Sequence, residues 1–148
     1  MGMKILFAVD GSDYTVKAAQ YIATHFRNFQ GGLDLHLLHV RLPIPQGLAL
    51  AQAERLLGHD TIDRYYKEEA EAALARAESI LNRDNIPFQA VYRVGDVAHE
   101  IHQYAAQHKM NMIVMGSHGH GAVQNLVMGS VATKVIATTA DIPILIVR

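Results

Sequence analysis

Two stretches, MIVMGSHGHG (112–121) and GSVATKVI (129–136), joined by AVQNLVM, decide how this chain is read. Met112 to Met115 is a short apolar run that stops at Gly116, and Gly119 and Gly121 follow closely. This is the pattern of a buried strand running into a loop that exposes its backbone. Gly129 and Ser130 then open a segment in which Val131 and Val135 share one helical face. A glycine–serine pair at a helix start favours an anion. Free N–H groups of the first turn, an adjacent hydroxyl and the positive end of the helix dipole all point to a phosphate there.

Two better-known glycine motifs do not fit. Gly116 and Gly121 have the spacing of a Walker A loop, but Ala122 and Val123 stand where its Lys and Ser/Thr belong, so the charge and the magnesium hydroxyl are missing. A dinucleotide fingerprint starting at Gly119 needs a glycine where Gln124 stands, and it belongs after the first strand of a fold.

Outward from this stretch, the chain alternates strands and helices. Lys4 to Val9 is a β-branched and aromatic run ending at Asp10-Gly11-Ser12, with Ser12 as helix cap, and Ala19, Ile22, Ala23 and Phe26 recur at helical spacing. Leu33 to Val40 is a second strand, closed by Pro43 and Pro45. From Gly47 the chain reads as irregular until Thr61, after which Ile62, Tyr66, Ala70, Ala73, Ala77 and Ile80 mark a long amphipathic helix. Phe88 to Val94 is a third strand and Gly95-Asp96 a turn, and Val97, Ile101, Ala105 and His108 form one face of a third helix. Met112 to Met115 and Ile144 to Val147 are strands four and five. Strands separated by helices predict an α/β fold with an open, doubly wound parallel sheet and helices on both faces.

Composition narrows the function classes. With 148 residues, half of them hydrophobic, one domain spanning 1–148 is expected, able to bury roughly 70% of its unfolded surface without a metal or disulfide staple. Cysteine is absent, which removes a disulfide framework and a thiol nucleophile and fits a reducing compartment; a cytoplasmic location is expected. The longest apolar run is Ile5 to Val9, far short of the ~20 residues of a membrane helix, so no membrane association or export is expected. Thirteen basic and fourteen acidic residues leave no basic block to track a nucleic-acid backbone.

The spacing Gly116-x2-Gly119-x9-Gly129-Ser130 resembles the nucleotide-binding motif of the universal stress protein family, in its ATP-binding subclass. KILFAVDGSD near the N-terminus, LHLLHV near 40, GDVAHEI near 95 and PILIVR at the end are similar to that family's segments in the family's order, so nearly the whole chain is covered. The resemblance implies strand order 3-2-1-4-5, an adenine nucleotide alpha-hydrolase-like arrangement. The switch point then lies between the strands ending at Asp10 and Gly116, where a ligand crevice forms. The resemblance also implies ATP as ligand and a homodimer formed by the last strand; because no lysine lies in the loop to balance the phosphate charge, Mg²⁺ on the ligand is a further candidate.

On that reading, Gly116 and Gly119 admit the ligand to the backbone, while Gly129 and Ser130 offer N–H groups and a hydroxyl to the phosphates. Asp10 is either a ribose or adenine acceptor, as the resemblance implies, or a helix-capping carboxylate. Val40 is the position where the family's backbone meets the adenine ring, with Ala8, Val9, Met115 and Val131 as apolar walls. His118 and His120 are placed to donate to phosphate oxygens. The remaining seven histidines have no third-ligand spacing for a metal, and His99 and His102 read as a solvated face. Asn111 stands before strand four where an acidic residue is expected.

The function expected is an ATP-binding regulatory or sensor module in stress response, with no catalytic residues assigned. The rival readings are a slow adenine-nucleotide hydrolase or transferase using Asp10 and His118, and a nucleotide-free dimeric interaction module. Ile144 to Val147, apolar and without a protecting charge or internal proline, is an edge that invites pairing with a second copy.

Overall fold

The computed structural model describes residues 2–29, 31–45, 47–121 and 126–148. Residues 122–125, the start of the linker AVQNLVM, lie outside the described residues. In chain order the elements are β1 (Met3–Ala8), α1 (Asp13–His25), β2 (Leu33–Arg41), α2 (Leu48–Leu57), α3 (His59–Arg83), β3 (Gln89–Val94), α4 (Val97–Gln107), β4 (Met112–Gly116), α5 (Ser130–Thr138) and β5 (Ile144–Val147). The five strands form one sheet in the order β3-β2-β1-β4-β5, and every pairing is parallel. The expected architecture and strand order are both found.

Alternation along β1 explains the two-layered core. Side chains of successive strand residues point to opposite faces. Ile5, Phe7 and Val9 therefore join Leu35, Leu37 and Val114 against α1 and α3, where Ile22, Leu74, Ala77 and Leu81 meet them. Leu6 faces the other way, with Leu38, Val40, Ile113 and Met115 against Ile101, Tyr104 and Ala105 of α4 and Ala132 and Val135 of α5. Phe7 and Leu6 are fully buried, and each side chain of this size removed from water contributes roughly 1.5–3 kcal/mol.

The helix starts follow local chemistry. Ser12 caps α1, its side chain accepting from the Thr15 N–H, and Asp96 caps α4 by accepting from the His99 N–H. Gly11, at φ 81°, brings the turn after β1 so close to α3 that a Cβ there would lie 3.0 Å from the Ala73 Cα. Asn111 performs the strand-start task expected of an acidic residue. Its Oδ1 accepts from the Lys4 N–H at 2.8 Å while its own N–H donates to the Lys4 carbonyl at 2.8 Å.

The region from 47 to 60 differs from the irregular segment expected. Leu48–Leu57 is a helix, Gly58 at φ 80° separates it from the next, and α3 begins at His59. The helix beginning at Val97 is therefore the fourth in chain order. LALAQAERLL lacks a capping side chain at its start, but each of its residues is a strong helix former, a signal that the irregular reading passed over.

Candidate functional site

Between β1 and β4 the sheet reverses its winding, and there a cavity of about 940 Å³ opens at the carboxyl ends of the strands. Ala8, Val9, Asp10, Val40, Met115, Gly116, His118, Gly119, Gly129, Ser130 and Val131 all lie in its wall. The structure thus brings every candidate residue to one place.

The start of α5 presents backbone N–H groups to the cavity. Gly129 is its N-cap, with no side-chain cap, and no acidic residue occupies the first turn. The first backbone bond into the helix comes from Thr133, whose N–H donates to the Gly129 carbonyl at 3.0 Å. The N–H groups of Ser130, Val131 and Ala132 precede it and have no intrahelical acceptor, and these three residues line the cavity. One expected donor is corrected: the Gly129 N–H is engaged by the Ser117 carbonyl at 2.6 Å. Residue 129 ties the two arms of the loop together, and the donors open to a ligand begin at Ser130.

The glycines are required for space. A Cβ at Gly116 would lie 2.7 Å from the Tyr14 Cβ, and one at Gly129 would lie 3.0 Å from the Ser117 carbonyl oxygen and 3.1 Å from the His118 Cα. At Gly119 the same atom would meet the Asp10 Oδ2 at 2.6 Å, so that oxygen faces the loop. The two readings of Asp10 divide between its oxygens. Oδ1 accepts from the Ser12 N–H at 2.9 Å and from the Thr15 hydroxyl at 2.8 Å, shaping the turn into α1, while Oδ2 points across the crevice.

Both loop histidines serve the loop itself. His118 Nε2 donates to the Leu126 carbonyl at 2.7 Å, and its Nδ1 pairs with the Ser117 hydroxyl at 2.8 Å. A carbonyl only accepts, so Nε2 carries the proton, and Nδ1 of the neutral ring takes the hydroxyl hydrogen. His120 Nε2 donates to the Asp10 carbonyl at 2.8 Å, drawing the loop across the end of β1. The Nε2 protons expected to reach phosphate are therefore directed to backbone oxygens, and His120 Nδ1 has no partner among the described residues.

Val40 owes its position to β1 leaving the sheet early. The last β1–β2 pair is Ala8 with Leu38, and the Val9 N–H donates to the Leu38 carbonyl at 2.9 Å. The Arg41 carbonyl accepts from Gly95 on the β3 side. Alternation along the strand turns the polar edge of Val40 toward the β1 side, past the end of β1, where it meets the cavity.

Sequence reasoning missed several residues of the wall. His39 is buried, and its Nδ1 donates to the Val9 carbonyl at 2.8 Å, fixing the ends of β1 and β2 together. Arg41, the chain from Leu42 to Pro45, Tyr65, Val97 and Ile101 also line the cavity; the two prolines were the available signal for the first group. His102 is also not wholly solvated as expected: it is half-buried, with Nδ1 3.2 Å from the Thr139 hydroxyl. His99 is exposed.

The arrangement defines a class, an open doubly wound α/β protein of the adenine nucleotide alpha-hydrolase-like fold, with an uncapped helix start at its switch point. The family model described as the universal stress protein family matches residues 1–148, and the chain belongs to that family. It is 32% identical over 148 residues to universal stress protein YxiE of Bacillus subtilis, covering 98% of each chain. Universal stress protein UspA from Lactobacillus plantarum has the same fold, with a TM-score of 0.74 at 23% identity over 99% of this chain and 97% of that one. So does the universal stress protein from Archaeoglobus fulgidus solved in complex with dAMP, with a TM-score of 0.66 at 24% identity over 99% and 98%.

Proposed function

We propose that the cavity binds an adenine nucleotide, ATP in particular, and that the protein is a nucleotide-dependent regulatory module of the stress response in the cytoplasm. The observation that carries this reading is the pairing of two backbone edges without partners among the described residues across one cavity: the N–H groups of Ser130 to Ala132 on one side and the polar edge of Val40 on the other. Phosphates belong at the first and the adenine edge at the second. Asp10 Oδ2 lies between them as an acceptor for ribose hydroxyls. The dAMP held by the Archaeoglobus fulgidus relative supports the adenine and the phosphate. The choice of ATP rests on the motif spacing.

The residues suit binding better than turnover. A general base must reach the attacking water, and the groups a hydrolase would draw on, His118 and Asp10 Oδ1, are held in internal hydrogen bonds. Asp10 is the one carboxylate among the residues lining the cavity, and Arg41 the one Lys or Arg. Main-chain donors and the α5 dipole thus carry most of the phosphate recognition, with Mg²⁺ held chiefly by the nucleotide's own oxygens. Assembly belongs to the same reading: β5 is apolar, half-buried and paired only with β4 among the described strands, so a two-fold dimer through this edge is proposed.

Mass spectrometry of ligand released from the purified, acid-denatured protein, together with titration of ATP, ADP and AMP into ligand-free protein, tests the reading. ATP recovered, or bound with the highest affinity, is the expected result. Failure of all three nucleotides to bind the folded protein overturns it. A monomer in light scattering at micromolar concentration overturns the dimer alone.

A further inference from the structure

The cavity does not stop at Val40. Past it the wall is formed by Leu42, Pro43, Ile44 and Pro45, which leave the sheet as a strap, and by Tyr65 of α3. The contacts proposed above for a plain adenine nucleotide use none of these.

Most of the hydrogen-bond donors at this end are engaged within the protein; the exception among the described residues is Arg41 Nε, which is buried and has no partner. Pro43 and Pro45 carry no N–H, and the Ile44 N–H donates to the Tyr66 hydroxyl at 2.8 Å. Arg41 Nη2 donates to the Tyr65 hydroxyl at 2.8 Å and Nη1 to Glu69 Oε2 at 3.3 Å, with the guanidinium 5.3 Å from the Tyr65 ring centroid. The exposed side-chain surface at this end is nonetheless mainly carbon. Leu42 is 62% exposed and Tyr65 38% exposed, apolar surface that a ligand would remove from water.

Position decides which part of a ligand arrives there. The phosphate-facing loop follows β4 and the Val40 edge belongs to β2, with β1 between them, a separation of two strand spacings of about 4.8 Å each. A 5′-nucleotide spans that distance from phosphate to base edge, so the strap lies beyond the base. The volume of about 940 Å³ is also at the upper end of the roughly 300–1,000 Å³ usual for small-molecule sites.

We propose that this site accepts an adenine nucleotide bearing an apolar or aromatic substituent on N6, lodged between the strap and Tyr65. The inference rests on the adenine-nucleotide reading above. A singly substituted N6 keeps one hydrogen for the Val40 carbonyl, so the backbone contact and the substituent coexist. An aromatic substituent gains a ring partner in Tyr65 and covers Leu42 and Ile44.

Calorimetric titration of AMP and N6-benzyl-AMP into the full, ligand-free chain tests this. The benzyl compound is expected to bind about tenfold more tightly than AMP, and Tyr65→Ala and Leu42→Ser are each expected to erase most of that gain, read as the ratio of the two affinities within each variant. Equal or weaker binding of the benzyl compound, with AMP still bound, overturns the inference and leaves the nucleotide reading standing. A gain that survives both substitutions also overturns it, because the substituent then sits elsewhere. If neither compound binds the folded protein, the nucleotide reading itself falls.

Discussion

Two histidine clusters at opposite ends of the sheet show how differently one residue type is used. At the carboxyl end, His118 and His120 reach backbone carbonyls and hold a loop in shape, while the first N–H groups of α5 beside them have no partner among the described residues. Toward the amino end, His36 and Tyr104 are 6% and 2% exposed. His36 Nδ1 meets the Tyr104 hydroxyl at 2.7 Å and Nε2 meets Asp34 Oδ1 at 3.0 Å. His108 stacks on Tyr104 with centroids 4.0 Å apart, the Arg93 guanidinium lies 4.9 Å from the same ring, and Lys4 Nζ donates to the His108 carbonyl at 2.6 Å. The polar atoms of its two buried side chains, His36 and Tyr104, are paired with each other and with Asp34, as a buried network must be. The crevice leaves donors open, and open donors at a cavity wall mark a place for a ligand.

The sharpest way to break this contrast is Gly129→Val. Its Cβ would press on the Ser117 carbonyl and the His118 Cα, spreading the loop arms, and nucleotide affinity is expected to fall at least a hundredfold in calorimetry. The chain should still fold, at a cost of about 1–3 kcal/mol typical of overpacking. Retained affinity in the folded variant would make the glycines turn-formers only.

His36→Ala probes the other side. It strands the buried Tyr104 hydroxyl and opens a void, so urea unfolding should report a loss of roughly 2–4 kcal/mol. Nucleotide affinity should stay at the wild-type value, since His36 does not line the cavity. A parallel loss of affinity would mean that the two clusters are coupled.

Ser130→Ala removes a hydroxyl while keeping the N–H, and a loss of about 0.5–1.5 kcal/mol in binding is expected. His59→Ala, outside the cavity wall, is the control that should change nothing. Equal losses in both would point away from α5.

The smallest expected effect concerns acid. Burial holds the His108 pKa below its usual 6.5, helped by the positive charges of His36, Arg93 and Lys4 and opposed by Asp34. The unfolded chain therefore takes up a proton more readily than the folded one. The His108 contribution is fully present above pH 6.5 and is lost as the pH falls below it. His108→Gln should flatten the dependence of Tm on pH between 7 and 5; an unchanged slope would remove His108 as its source. Burial likewise raises the Tyr104 pKa.

Much of this was legible in the sequence because local chemistry and tertiary demand coincide there. The apolar run into Gly116, the pair Gly129-Ser130 and the cap at Ser12 are signals within one turn of the residues they govern. The rest depends on distant partners. No cap marks the start of α2, and the strong helix propensity of LALAQAERLL was the signal overlooked there. Tyr65 reaches the cavity only because α3 passes the end of β2. That the Gly129 N–H is taken by Ser117, twelve positions earlier, follows from loop closure and from no pattern of residue types. The two oxygens of Asp10 needed coordinates to be told apart.

The recognition proposed for the main chain at α5 has a consequence for anyone who maps this protein by mutagenesis. Substituting alanine removes side chains and leaves amides in place, so a scan of the crevice would register Ser130 weakly and pass over the donors of Val131 and Ala132 altogether. At Gly116, Gly119 and Gly129 the same scan would add an atom where it is assumed to subtract one. The surface would look inert at the positions that matter most, and its informative probes are those that alter the backbone itself, such as amide-to-ester replacement at Val131.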